Sequence, residues 1–268
     1  MSALRFEDLY NRLNPEQKRA VDTIDGPVMV IAGPGTGKTQ ILTLRIANIL
    51  KQTDSGADGI LALTFTESGA YAMRKRLVDI IGSVAYKINI FTFHSFCNEV
   101  IKTYPEEFPR IIGANSITDI DQIRLMEEII LTSHLEKLKP YGDPLYYLKP
   151  ALNQIKNLKR EDVDPLALEQ IIKDQEARFK EIDDLYYEKG QHKGKMKGKH
   201  KDLEKDIEKN KDLLELYKQY EAKLQKLRLF DFEDMIMEVV RVLKINNDLL
   251  LRLQEKFQYI LADEHQDA

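Results

Sequence analysis

The chain has little of what would mark a secreted, fibrous or membrane-borne protein. A single cysteine, Cys97, occurs in 268 residues, so no intrachain disulfide can form and the disulfide-stapled scaffolds of oxidising compartments are excluded. No apolar run approaches the roughly 18 residues that a membrane-crossing helix requires. The opening stretch MSALRFEDLYNRL mixes acids among its apolar residues and lacks the basic flank and unbroken apolar segment of a secretory signal. Neither sign of charge dominates. Lys and Arg number 40 against 44 Asp and Glu, a net −4, so the chain is no basic coat for nucleic acid, and any such contact must come from local placement of cations. These absences leave a cytoplasmic globular chain as the expectation. Its 43% of hydrophobic residues suffices for a core in one large domain or two ordinary ones.

Four short runs, VMVIAG from Val28, ILALTFT from Ile60, INIFTF from Ile88 and YILADE from Tyr259, are aliphatic or β-branched on both faces, as strands buried in a parallel sheet are. The first three lead into helical periodicity in KTQILTLRIANILK, ESGAYAMRKRLVDII and HSFCNEVIKTY, and this alternation predicts an α/β core. From about Thr118 to Leu229 the pattern is helical throughout, and only then does the fourth strand arrive. A helical domain inserted into the core accounts for this better than a tandem domain, because the fourth strand is assigned to the same sheet. The expected division is a discontinuous core, residues 1–112 and 228–268, with a helical insertion at 113–227. Inside the insertion, Lys189–Lys201 carries six lysines, two histidines and three glycines with no acid. It cannot bury an apolar face and reads as a mobile solvated loop, with a tether to a phosphate backbone as the second reading.

The residues that carry chemistry begin with AGPGTGKT, from Ala32 to Thr39. Gly33, Gly35 and Gly37 permit a tight turn, with Pro34 and Thr36 between them, whose backbone amides can ring phosphate oxygens. Lys38 can then reach the outer phosphates, and the Thr39 hydroxyl can ligate Mg²⁺. A phosphate-bound cation needs a second anchor, and hydrolysis needs a carboxylate near water. Asp263 and Glu264, at the mouth of the last strand, supply both. In LNPEQKRAV, Asn14 and Pro15 form a helix start, and the amide of Gln17 can both donate to and accept from an adenine edge. Thr64 and Thr66 stand at a strand end beside a helix N-terminus, a seat for a backbone phosphate. In FTFHSFC, Phe91, Phe93, His94 and Phe96 stand at another strand end, where a ring can stack on an unpaired base.

In order, LNPEQKRAV, AGPGTGKT, ALTFTESGAYAMRKRL, TFHSFC, a long helical stretch, FDFEDMI and ILADEHQDA resemble the N-terminal half of a UvrD/Rep/PcrA-like superfamily 1 DNA helicase. The resemblance implies a RecA-like P-loop NTPase core interrupted by an all-helical subdomain. It implies an enzyme that couples hydrolysis of ATP, with Mg²⁺, to 3′–5′ movement on single-stranded DNA and to duplex unwinding in repair or recombination, with repair or recombination proteins as possible partners. By similarity, Gln17 reads adenine, Ala32 to Gln40 hold the nucleotide, Lys38 acts in catalysis, Thr39 and Asp263 hold the metal, and Glu264 is the base. Thr64, Phe65, Thr66, Thr92, Phe93, His94 and Ser95 fall on the single-stranded DNA track. Gln40 stands where relatives often carry arginine, His265 at a usually aromatic position, and Ala268 where threonine is commoner. The family's second RecA-like domain, source of an arginine finger, lies downstream of the last motif, so this stretch alone is expected to hydrolyse little ATP and to unwind nothing. Two alternatives use the same residues: the helicase part of an AddA/RecB-type helicase–nuclease, and a nucleotide-switched DNA-binding protein without motor activity. Lys38, Asp263 and Glu264 argue against the switch, because a switch that never hydrolyses needs no base.

Overall fold

In a computed structural model that describes residues 3–33, 35–187, 194 and 196–265, the chain gathers into two units, residues 1–107 with 239–268 and residues 108–238. The first opens with α1 (Ala3–Asn11) and α2 (Pro15–Asp22). The start of α2 is fixed by a reciprocal capping box, in which Gln17 N donates to Asn14 Oδ1 at 2.9 Å and Asn14 N to Gln17 Oε1 at 3.0 Å. Pro15 takes the first helical position, where no N–H is needed. Then come α3 (Lys38–Gln52), β1 (Ile60–Thr64), α4 (Glu67–Ile81), β2 (Asn89–Thr92) and α5 (Phe93–Thr103). β1 and β2 pair in parallel from Leu61 opposite Asn89 to Thr64 opposite Thr92. Leu44 and Ile49 of α3, Met73 and Leu77 of α4 and Ile60 and Ala62 of β1 meet in one core. Each large aliphatic side chain so buried contributes about 1.5–3 kcal/mol.

The second unit is built mainly of helices: α6 (Asp119–Thr132), α7 (Leu148–Arg160), α8 (Pro165–Lys180) and α9 (Lys201–Leu227). Its core joins Met126 and Ile129 of α6, Leu152 and Ile155 of α7, Ile172 of α8 and Leu216 and Tyr220 of α9. A short parallel ladder accompanies them, β3 (Asn115–Ser116) with β4 (Leu229–Phe230), each too brief to leave a pattern in the sequence. α10 (Phe232–Ile245) follows, and the division between the units falls within it.

Two polar devices brace this unit. The buried Asp212 carboxylate accepts the backbone N–H groups of Glu136 (3.2 Å), Lys137 (2.6 Å) and Leu138 (2.9 Å). Lys159, its side chain 4% exposed, meets Glu221 at 2.6 Å, Asp231 at 2.7 Å and Asp234 at 2.8 Å. Burial alone would lower the Lys159 pKa, but the charges of Asp231, Asp234 and Glu221 outweigh it and raise it. Of the lysine-rich segment, residues 189–193 and 195 lie outside the described residues. Its described end is anchored: Lys197 and Lys199 both pair with Asp184, and His200 Nε2 lies 3.0 Å from the Asp184 carbonyl.

The chain returns to the first unit through α11 (Asn247–Lys256) and β5 (Tyr259–Ala262), which adds to β1 in parallel from Ile60 opposite Tyr259 to Leu63 opposite Ala262. The sheet order is β2–β1–β5. β1 is therefore the middle strand and is buried along its whole length, as its uninterrupted apolar run requires. Among the described residues no fourth strand joins β5. The run from Val28 to Gly33, expected as a buried strand, is unpaired, with Met29 79% and Ile31 87% exposed. Its β-branched composition cannot by itself hold a strand, because the ladder and the packing partners must come from neighbours. Gly26, in the left-handed region at φ +71°, and Pro27, which fixes its own φ, set the chain's direction at entry. A cavity of about 530 Å³, lined by Asp25, Gly26, Arg45, Tyr259 and Ile260, opens beside β5. It contains none of the candidate site residues. No helix among the described residues is long and apolar enough to cross a membrane.

Candidate nucleotide site and the loops beside it

Parallel strands bring their C-terminal ends to one edge of the sheet, and three loops meet there in the order β2, β1, β5. The glycine-rich loop reaches the same edge at the start of α3. Gly35 and Gly37 take φ of +75° and +84°, conformations that a side chain would strain. Gly37 is also the N-cap of α3 and, having no side chain, gives the first-turn amides no side-chain cap of its own. Thr36 closes the turn, its hydroxyl donating to Gly33 O at 2.8 Å. Pro34 lies outside the described residues. Ala32 is half-buried and precedes the turn, and the Gln40 carbonyl accepts the Thr43 hydroxyl at 2.9 Å.

The structure brings this loop to the acids that follow β5. Thr39 Oγ1 donates to Asp263 Oδ2 at 3.0 Å, and Lys38 Nζ lies 3.4 Å from Glu264 Oε2. Both contacts are partly buried and join residues more than two hundred positions apart in sequence. β5 sets the position of the acids, because Asp263 N donates to Leu63 O at 2.8 Å and so continues the ladder by one bond. Glu264 then turns into the left-handed region at φ +51°, with its N–H on Asp263 Oδ1 at 3.1 Å. His265 follows, exposed.

Gln17 reaches the loop from α2. Its Nε2 donates to Thr36 O at 3.2 Å while its Oε1 takes the Asn14 N–H, so the side chain joins a helix cap to the glycine-rich turn. Two residues with no sequence signal of their own hold α2 in place. Arg45 of α3 donates to Ala20 O at 2.7 Å, to Thr23 O, and to Ile24 O at 3.3 Å; Asn48, buried, donates to Val21 O at 3.1 Å. Burial lowers the Arg45 pKa, with Asp25 opposing.

The loops after β1 and β2 are helix starts. Thr64 is buried and its hydroxyl donates to Thr66 O at 2.8 Å, while Thr66 caps α4 by accepting Gly69 N at 3.0 Å. Phe65 projects between them, exposed. Thr92 is likewise buried and caps α5: its Oγ1 accepts Ser95 N at 3.1 Å, and its N–H donates to Ser95 Oγ at 2.7 Å. His94 is exposed and Phe93 half-buried, whereas Phe96 turns inward, its ring 6.3 Å from Phe91 and 5.8 Å from Phe257. The surface these loops offer is therefore made of Phe65, Thr66, Phe93 and His94, and Thr64 and Thr92 act behind it.

Comparison with known proteins places the chain in a family. The UvrD/REP helicase N-terminal domain family matches residues 13–268. The ATP-dependent DNA helicase PcrA of Bacillus subtilis is 32% identical over 263 residues, which make up 97% of this chain and 30% of that protein. The ATP-dependent DNA helicase UvrD1 of Mycobacterium tuberculosis is 29% identical over 263 residues, 98% of this chain and 29% of that protein. PcrA of Staphylococcus aureus is 28% identical over 260 residues, 97% of this chain and 30% of that protein. The chain thus spans about 30% of the length of the curated relatives it matches.

Proposed function

The chain belongs to the UvrD/REP helicase N-terminal domain family, and from that premise we propose that it is the nucleotide-holding part of an ATP-driven 3′–5′ DNA helicase of repair or recombination. The observation that carries the reading is the pairing of Lys38 with Glu264 and of Thr39 with Asp263 at the open end of a parallel sheet. In this reading the loop from Ala32 to Gln40 wraps the phosphates, and Gln17, already bonded to the loop, reads the base. The loops after β1 and β2 face single-stranded DNA, with Phe65 and Phe93 available for stacking. Residues 113–227 form a helical subdomain inserted in a RecA-like core.

The residues fit Mg²⁺. Thr39 Oγ1 and the Asp263 carboxylate are hard oxygen donors 3.0 Å apart, and among the described residues no cluster of three His, Cys, Asp or Glu forms an all-protein cage. Magnesium commonly takes one or two protein oxygens and completes its shell with water and phosphate. When bound, it offsets charge on the phosphates. The protein's own part is an exchange. Lys38 leaves Glu264 for a phosphate oxygen when substrate enters, and Glu264 Oε2, released from its cation, accepts the proton of the attacking water.

The test uses Lys38→Ala and Glu264→Gln in the full-length protein. Lys38→Ala is expected to abolish ATP turnover and strand separation. Glu264→Gln should still bind ATP while turnover falls by about 10²–10⁴. Strand separation that survives Lys38→Ala would end the assignment.

A further inference from the structure

We propose that Glu67 is a positioning residue that ties the loop after β1 to the loop after β2, so that the two present one face to single-stranded DNA. The inference rests on the reading of those loops given above and adds a residue to it. Glu67 is the first residue of α4, and its Oε1 lies 3.1 Å from Thr92 Oγ1, the cap of α5. The sheet fixes the gap it crosses, since Thr64 and Thr92 are register partners at the ends of β1 and β2.

The accounting of protons gives the contact its force. A hydroxyl carries one proton and two lone pairs, and an ionised carboxylate only accepts. Thr92 therefore spends its proton on Glu67, and its lone pairs remain for Ser95 N at 3.1 Å and for the Ser95 hydroxyl at 2.9 Å, whose one proton is shared with Thr92 O at 3.2 Å. Glu67 thus sets the Thr92 rotor, the rotor sets the direction of the Ser95 bond, and the capping box they form carries Phe93 and His94 in the first turn of α5. On its other flank the same loop meets the acids, through Asp263 N on Leu63 O at 2.8 Å. The spatial order is Asp263, then Thr64 to Glu67, then Thr92 to Ser95. A carboxylate beside a phosphate-binding face would ordinarily repel its ligand. Its use as a tie between two caps gives it a reason to be there.

The experiment measures, in the full-length protein, the concentration of an oligo(dT) strand that half-maximally stimulates ATP turnover. Glu67→Ala removes the acceptor and should raise that concentration about three- to tenfold, the effect of losing one hydrogen bond. In Glu67→Gln the amide oxygen still accepts from Thr92, and the value should stay within about twofold of the unaltered protein. Equal increases in both variants would mean that Glu67 acts only through charge at the N-terminus of α4, and would overturn the proposal. Decreases in both would mean simple repulsion of phosphate, and no change in either would mean no role; both outcomes also overturn it. If the unaltered protein shows no stimulation by DNA at all, the reading of the loops themselves fails first, and the proposal with it.

Discussion

Replacing Asp234 by asparagine should reverse sign in its effect on the stability of the helical unit as pH rises. Three carboxylates, of Glu221, Asp231 and Asp234, share the one ammonium of Lys159 at 2.6–2.8 Å. Burial pushes the Asp234 carboxyl up, and the charges of Asp231 and Glu221 add to it against the pull of Lys159, bringing it to about 7. In the unfolded chain an aspartate titrates near 3.9. Between roughly pH 4 and 7 the folded chain therefore holds a proton that the unfolded chain has lost. Stability falls as pH rises through that window, by up to about 1.4 kcal/mol per pH unit, and levels off above it. Asparagine cannot titrate and removes this slope. Asp234 also serves two donors, Lys159 Nζ on Oδ1 and Asp231 N on Oδ2, and an amide oxygen can serve only one, at a cost of about 1 kcal/mol. Asp234→Asn should thus be the less stable form at pH 4, where the titration has cost the unaltered protein only about 0.5 kcal/mol, and the more stable form at pH 8. Because the chain contains no tryptophan, urea unfolding followed by far-UV circular dichroism at several pH values is the suitable assay. Parallel curves for the two proteins would refute the argument. Lys159→Met removes the cation instead, leaves the buried carboxylates unpaired, and should cost about 3–5 kcal/mol.

Asp212→Ala leaves three consecutive backbone N–H groups without their acceptor and should destabilise the helical unit by about 2–4 kcal/mol in the same assay, with Asp212→Asn intermediate. Gln17→Ala removes the side-chain half of the capping box of α2, the acceptor of Asn14 N, and the bond to Thr36 O, so it should cost about 1 kcal/mol of stability, raise the KM for ATP and narrow the preference for ATP over GTP. Steady-state kinetics with both nucleotides check this, and an unchanged preference would remove Gln17 from base reading.

How far the sequence could be read depended on whether a feature is written locally. β1, β2 and β5 were legible as strands from the aliphatic runs ILAL, INIF and YILA, but the expected burial on both faces holds only for β1: β2 is buried at Ile90 and Thr92 alone, and β5, at the sheet edge among the described residues, leaves Ile260 62% exposed. The same rule was applied to VMVIA, and there it fell short, because composition states a willingness to be a strand and only a neighbour supplies the ladder. The tight turn of the glycine-rich loop was legible because two positive φ values, at Gly35 and Gly37, leave few other residues. Arg45 and Glu67 were not. A guanidinium on three carbonyls and a carboxylate on a distant hydroxyl have no period and no fixed spacing, so they become visible only when the segments meet. Lys159 was hidden in a stronger way. In LKPALNQIKNLKR it reads as one more surface lysine, and its burial follows from acids more than sixty positions further along the chain.

The distance in sequence between Lys38 and Glu264, 226 residues, also sets a timetable. At synthesis rates of roughly 5–20 residues per second, the glycine-rich loop leaves the ribosome on the order of 10–45 s before the acids it meets. For that interval β1 lacks β5 on one side and offers the nascent chain an open edge of unpaired backbone groups on a largely aliphatic strand. Mutations that slow the folding of the helices made in between would lengthen the exposure. Such mutations could lower the yield of active protein without touching a single residue of the site.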